Sequence, residues 1–252
     1  MIHISLKALE IFHIGSFPVT NSLLVTFIVS AILITTAIIY KSKLKLLPGK
    51  LQNIGEMVIE EMLDLMDSVL GSRHKSEKYL PLIATIFIFI VFSNWFGLLP
   101  IVGSLGLNEN HDGEHKFTPL LRSPAADLNF TLALAIISVV MINIFAIREI
   151  GFASHGKKFF NFSNPINFFI GILELISEIA KIISFSFRLF GNVFAGEVLL
   201  IIIGFLVPYF IPLPFLLLEI FVGFIQAFVF AMLSLVFVAI ATAEHAPSGH
   251  QT

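Results

Sequence analysis

Residues 164–206 read NPINFFIGILELISEIAKIISFSFRLFGNVFAGEVLLIIIGFL. After Pro165 this run has no proline and only scattered glycine, so nothing in roughly 40 residues stops a helix. At ~1.5 Å per residue that helix is about 60 Å long, twice the ~30 Å thickness of bilayer hydrocarbon. Its length is mostly Ile, Leu and Phe, so it belongs in a membrane and must tilt steeply there or break. Pro208, Pro212 and Pro214 then force a reversal. The segments 164–206 and 213–243 are therefore expected to form a long, steeply tilted antiparallel hairpin.

The rest of the chain agrees with a membrane setting. Of 252 residues, 57% are hydrophobic and 13% charged, with 28 Phe and a net charge of −2; mean hydropathy is +0.95. A soluble domain of this size cannot hide so much apolar surface, and there is no basic tract for nucleic acid. With no cysteine there is neither a disulfide framework nor a thiolate site. Stretches without Asp, Glu, Lys or Arg cover 11–40, 79–108, 128–147, 198–218 and 220–243, each long enough for one span. The fold class expected is an all-α integral membrane protein, a single membrane domain over 1–252 with about five embedded helices. Its parts are an outer N-terminal segment at 1–20, spans at 21–40, 80–101 and 128–147, an outer loop at 102–127, and the hairpin. The opening segment lacks the basic n-region and small-residue cleavage site of a signal peptide.

Between the first two spans, residues 49–71 repeat Leu51, Ile54, Met57, Val58, Met62, Leu65, Met66 and Val69 at three- and four-residue spacing, opposite Glu56, Glu60, Glu61, Asp64 and Asp67. That is an amphipathic helix lying in the interface, anchored by flanking basic residues such as Lys50, Arg73 and Lys78, or one packed on a neighbouring subunit. Orientation follows from Lys and Arg over short loops. With the N-terminus outside, inside loops carry ten (seven at 41–78, then Arg148, Lys157 and Lys158) against Lys7, Lys116 and Arg122 outside.

Ionisable groups are costly in hydrocarbon and usually mark a path or pair with one another. Glu174, Glu178, Lys181, Arg188, Asn192 and Glu197 occupy the first hairpin helix; Glu219 and Gln226 occupy the second. The positions 174, 178, 181, 185, 188, 192 and 195 alternate by four and three, which is one helical face. Gly223, Ala227 and Ala231 on one helix, and Gly191 and Ala195 on the other, form small-residue stripes suited to close approach of the pair. All eight histidines fall outside the expected spans, so a bis-histidine haem within the membrane is excluded; no HExxH zinc motif and no glycine-rich phosphate loop occurs. Carboxylates, amides and a permanent cation remain, with no cofactor and no metal. Those are parts for moving protons or small cations. Composition and pattern alone also admit a secondary transporter or a structural subunit of a respiratory membrane complex, although no internal repeat is visible.

The segment SFRLFGNVFAGE at 186–197 resembles the signature of subunit a of F-type ATP synthases. PGKLQNIGEMVIE at 48–60, PLIATIFIFIVFSNWFGLLP at 81–100, PAADLNFTLALA at 124–135 and FVGFIQAFVFAMLS at 221–234 are similar to further segments of that family, in the same order. The resemblance implies a non-catalytic stator subunit working against a ring of c subunits, with peripheral-stalk b subunits and the rest of the complex as partners. It implies that Arg188 is the essential arginine and that Asn192, Glu197, Glu219 and Gln226 line an outer half-channel. Glu219 stands where relatives also carry His. Glu174, Glu178 and Lys181 become candidates for the inner half-channel. Asp127 and Asn129 become candidates for outer access, with helix capping as the alternative role of Asp127. The location implied is a bacterial inner membrane, or an organelle inner membrane, with protons favoured over sodium.

Overall fold

The computed structural model describes residues 9–15, 17–46, 48–100, 102, 106–111, 114–159, 165–207 and 210–243. Parts of the expected outer segment (1–8 and 16), span 2 (101), outer loop (103–105 and 112–113) and hairpin (164) lie outside the described residues. A short hairpin of β1 (Glu10–Ile14) and β2 (Phe17–Thr20) leads into α1 (Asn21–Ser42). Thr20 caps α1 by accepting the Leu23 N–H at 3.3 Å. Then come α2 (Lys50–Leu70) and α3 (Arg73–Gly97). Gly71 between them has φ +66°, the left-handed conformation that closes a helix and favours glycine. A second hairpin, β3 (Gly106–His111) and β4 (Glu114–Pro119), precedes a 3₁₀ turn at Pro124–Ala126, α4 (Leu128–Ile150) and α5 (Phe152–Phe159). The chain ends its described part in α6 (Pro165–Leu206) and α7 (Pro212–Ala243).

Five of these helices, α1, α3, α4, α6 and α7, are long and apolar enough to cross a membrane. The protein is thus all-α in its membrane part, and the two small hairpins and α5 are additions to the expected plan. α6 is continuous over 42 residues; the alternative of a break is not taken.

α7 packs against α3, α4 and α6, and α4 lies along α6. Phe185 of α6 and Phe230 of α7 meet at 4.6 Å between ring centroids, amid buried Leu189, Val193, Ile90, Ala135 and Val139. An aromatic pair of this kind contributes ~0.5–1.5 kcal/mol beyond its buried area. Buried Met66, Tyr79, Ile83, Ile142, Leu235 and Val238 join α2, α3, α4 and α7 in a second cluster.

Of the small-residue stripe expected on α7, Ala227 lies in the buried cluster with Phe185, Leu189 and Val193 of α6, whereas Gly223 serves a different neighbour. Gly223 faces α3, where an added Cβ would stand 3.2 Å from the Asn94 Cβ. Asn94 Nδ2 donates to the Gly223 carbonyl at 2.9 Å and Trp95 Nε1 to the Ile220 carbonyl at 3.0 Å. Gly191 of α6 meets nothing within 4 Å, so it does not seat α7. Arg73, expected among the flanking basic residues of the amphipathic helix, has partners within the protein. It pairs with Glu60 at 2.7 Å, Asp64 at 3.0 Å and Asp67 at 3.1 Å, and so ties the acidic face of α2 to the start of α3.

Candidate functional site

α6 and α7 run antiparallel, and four meetings set their register. Lys181 Nζ lies 4.9 Å from the centroid of Phe237, Phe185 meets Phe230 with its ring tilted by 31°, Asn192 pairs with Gln226, and Glu219 abuts Gly196. Asn192 Nδ2 donates to Gln226 Oε1 at 2.5 Å. Gln226 is 4% exposed and Glu219 8%, so two polar side chains of α7 are withdrawn into the protein. Glu219 fits because residue 196 is glycine: a Cβ there would overlap both oxygens and the carbon of the Glu219 carboxyl group. Glu197, the next residue of α6, lies 3.5 Å from Arg122 Nε. The Arg122 guanidinium also lies 5.9 Å from the centroid of Phe194, one turn earlier on the same helix. Arg122 belongs to the irregular segment between β4 and the 3₁₀ turn at Pro124–Ala126, and that turn packs on α6.

Arg188 sits between this cluster and the other end of α6. Its Nη2 donates to Ser184 Oγ at 3.3 Å, one turn back. It lines a groove of about 240 Å³ with Ser177, Lys181, Ser184, Leu233 and Phe237, at the seam between α6 and α7.

Toward the start of α6 the charges are paired. Lys181 Nζ donates to Glu178 Oε1 at 2.6 Å, and Asn143 Nδ2 of α4 donates to Glu178 Oε2 at 3.2 Å. His155 Nε2 of α5 lies 3.1 Å from Asn143 Oδ1. Glu174 pairs with Lys158 of α5 at 2.8 Å. The stripe expected on one face of α6 is thus shared among three neighbours: α5 takes Glu174, α4 takes Glu178, and α7 takes Lys181 and Asn192. At 1.5 Å per residue, Glu178 and Glu197 are about 28 Å apart along the helix, with Arg188 between them.

Asp127 is buried and both its oxygens are engaged. Oδ2 accepts from Ser22 Oγ at 2.5 Å and Oδ1 from the Asn129 N–H at 2.9 Å. It caps α4 and ties it to α1, while the Asn129 side chain is exposed. Among the described residues no group of three or more His, Cys, Asp or Glu is placed to hold a metal ion.

Sequence reasoning missed Arg122 as a member of the site and counted it only as an outside charge. It also missed Asn143, His155 and Lys158, which reach the start of α6 from α4 and α5. The available signal was an Asn near the C-terminal end of a largely apolar span, at 143, and an Arg two residues before a proline, at 122.

A chain with this arrangement matches the family model for the ATP synthase A chain over residues 23–239. It is 33% identical to ATP synthase subunit a of Moorella thermoacetica over 92% of this chain and 95% of that one. It is 37% identical to ATP synthase subunit a of Campylobacter jejuni subsp. jejuni, over 85% and 87% of the two chains. ATP synthase subunit a 1 of Syntrophotalea carbinolica is 35% identical over 86% and 84%. The family-model match runs through α1, α3, α4 and the α6–α7 pair, and on that footing, with relatives 33–37% identical over most of its length, the chain belongs to the ATP synthase A chain family.

Proposed function

We propose that this protein is the stator subunit a of an F-type ATP synthase and supplies two offset half-channels, one from each side of the membrane, to a rotating ring of c subunits. The observation that carries this is the partition of polar groups along α6. Glu197, Glu219, Asn192 and Gln226 gather near one end, Glu174, Glu178 and Lys181 near the other, and Arg188 lies between. A pore with one continuous lining would not need a permanent cation at its middle; a device that must prevent direct passage does.

In this account a proton enters from outside near Asp127 and Asn129 and passes Glu219, Glu197, Asn192 and Gln226 to a carboxylate on the ring. The neutralised carboxylate turns through lipid and later meets the inner path at Glu178 and Glu174, with Lys181 beside them, where it loses the proton. Arg188 favours the ionised carboxylate as it returns and repels protons between the two paths. A potential of 100 mV supplies ~2.3 kcal/mol per charge moved, which biases rotation. The subunit performs no bond chemistry itself. Its partners are the c ring, peripheral-stalk b subunits and the remaining complex, in a bacterial inner membrane with the N-terminus outside and the C-terminus inside. The long, continuous α6 offers an extended contact to a curved ring, lying obliquely in the bilayer.

Inverted membrane vesicles carrying the assembled complex test this. ATP should acidify the vesicle lumen in sodium-free buffer, and blocking the ring carboxylate should stop it. Acidification that is absent without sodium would reject the proton assignment; acidification unaffected by blocking the ring would reject the stator role.

A further inference from the structure

Arg122 is a second guanidinium within reach of the α6–α7 site, and nothing in the account above uses it. It is contributed by the segment that follows β4, not by a membrane helix, yet its side chain is only 9% exposed. It spans one turn of α6, with Nε 3.5 Å from Glu197 Oε2 and its guanidinium over Phe194. The Glu197 side chain remains 31% exposed beside it, while the Oε2 that faces Arg122 is buried and is met by charge rather than by a hydrogen bond. On the far side, Glu219 occupies the notch at Gly196. Arg188 lies nine residues away, about 14 Å along the helix.

We propose that Arg122 is a positioning residue for proton transfer: a fixed cation that holds the Glu197 side chain in one orientation at the outer half-channel. This deepens the stator reading and rests on Glu197 being a relay group there. A glutamate side chain has three rotatable bonds, and without a fixed partner it has several orientations. Arg cannot lose its proton and is stiffened by lying across an aromatic ring, so it restricts Glu197 at every working pH. A group so held presents its second oxygen to an incoming proton in the same place each cycle. Because Arg122 comes from the loop-side segment, the packing of the 3₁₀ turn on α6 is what sets the position of the carboxylate.

The chain has no cysteine, which permits a test that does not depend on conduction. In the assembled complex carrying Glu197→Cys, the labelling rates of a sulfonate-bearing and an ammonium-bearing methanethiosulfonate are compared. Arg122 should favour the anionic reagent, and adding Arg122→Gln should lower the anionic-to-cationic ratio by about fivefold or more. With Glu197 intact, passive proton conduction should fall about tenfold in Arg122→Gln, and Arg122→Lys, which keeps the charge, should recover much of it. A ratio indifferent to Arg122 would overturn the proposal, because the cation would not stand at position 197. Native conduction in Arg122→Gln, or equal loss in Arg122→Gln and Arg122→Lys, would overturn it as well. Failure of the underlying relay is seen separately, as native conduction in Glu197→Gln.

Discussion

The Glu219 carboxyl group occupies the space that a side chain at Gly196 would fill. One helix therefore carries a buried acid only because its partner lacks a Cβ at the facing position. Gly196→Ala should push Glu219 out of the notch and slow passive proton conduction by on the order of tenfold to a hundredfold, the scale expected when a transfer group shifts by an ångström. Gly204, on the same helix, faces nothing within 4 Å, and Gly204→Ala should conduct at the native rate. Proton flux through vesicles stripped of the catalytic head measures both.

Glu197 of α6 adjoins Gly196, where Glu219 of α7 abuts the helix, and Asn192 with Gln226 continues toward Arg188. Either acid replaced by Gln should reduce passive conduction, and a His at position 219 should restore part of what Glu219→Gln loses, since an imidazole also accepts and donates protons near neutrality. Native flux in both Gln variants would mean that the outer path lies elsewhere.

Asn143 connects His155 on α5 to Glu178 on α6. Asn143→Leu keeps the branched shape but removes one donor to Glu178 and leaves the His155 side chain without that acceptor. ATP-driven pumping should fall severalfold, with a cost of about 1 kcal/mol in the hydrogen bond itself. Val at 143 should behave like Leu, whereas Gln should retain part of the activity. Pumping and complex assembly are read on the same vesicles.

How much of this was legible in the sequence depends on the direction in which each contact runs. Periodicity along one helix reported α2, the charge-free spans and the succession of polar residues on α6, because those are properties of a single element. Contacts between elements left weaker marks. Gly196 looks like any glycine in a small-residue stripe, and only the packed pair shows that it seats Glu219 while Gly191 faces open space. Arg122 sits in a loop whose charge was useful for counting topology, and nothing local says that it reaches α6. Asp127 carries a capping signature before α4, but its bond to Ser22 joins residues 105 positions apart. The stripe on α6 was visible as a line; that α4, α5 and α7 divide it among them was not.

Orientation can be read with two cysteines on either side of α1. His13 and Lys43 are both exposed. His13→Cys should be labelled by an impermeant thiol reagent from outside the cell and Lys43→Cys only in inverted vesicles, following the excess of Lys and Arg in the inside loops. Labelling of both from one side would defeat the proposed arrangement of spans.

The central claim is that Arg188 separates the two paths and drives deprotonation of the ring. Its guanidinium stays charged at any working pH, and in a medium of low dielectric constant it stabilises a facing carboxylate far more than in water. The direct measurement is ATP synthesis driven by an imposed proton gradient in vesicles bearing Arg188→Ala, with assembly of the complex verified and passive proton flux recorded beside it. The account predicts that synthesis is lost while passive flux is at least as high as in the native complex. ATP synthesis at the native rate in that variant would contradict it and leave Arg188 a structural role alone.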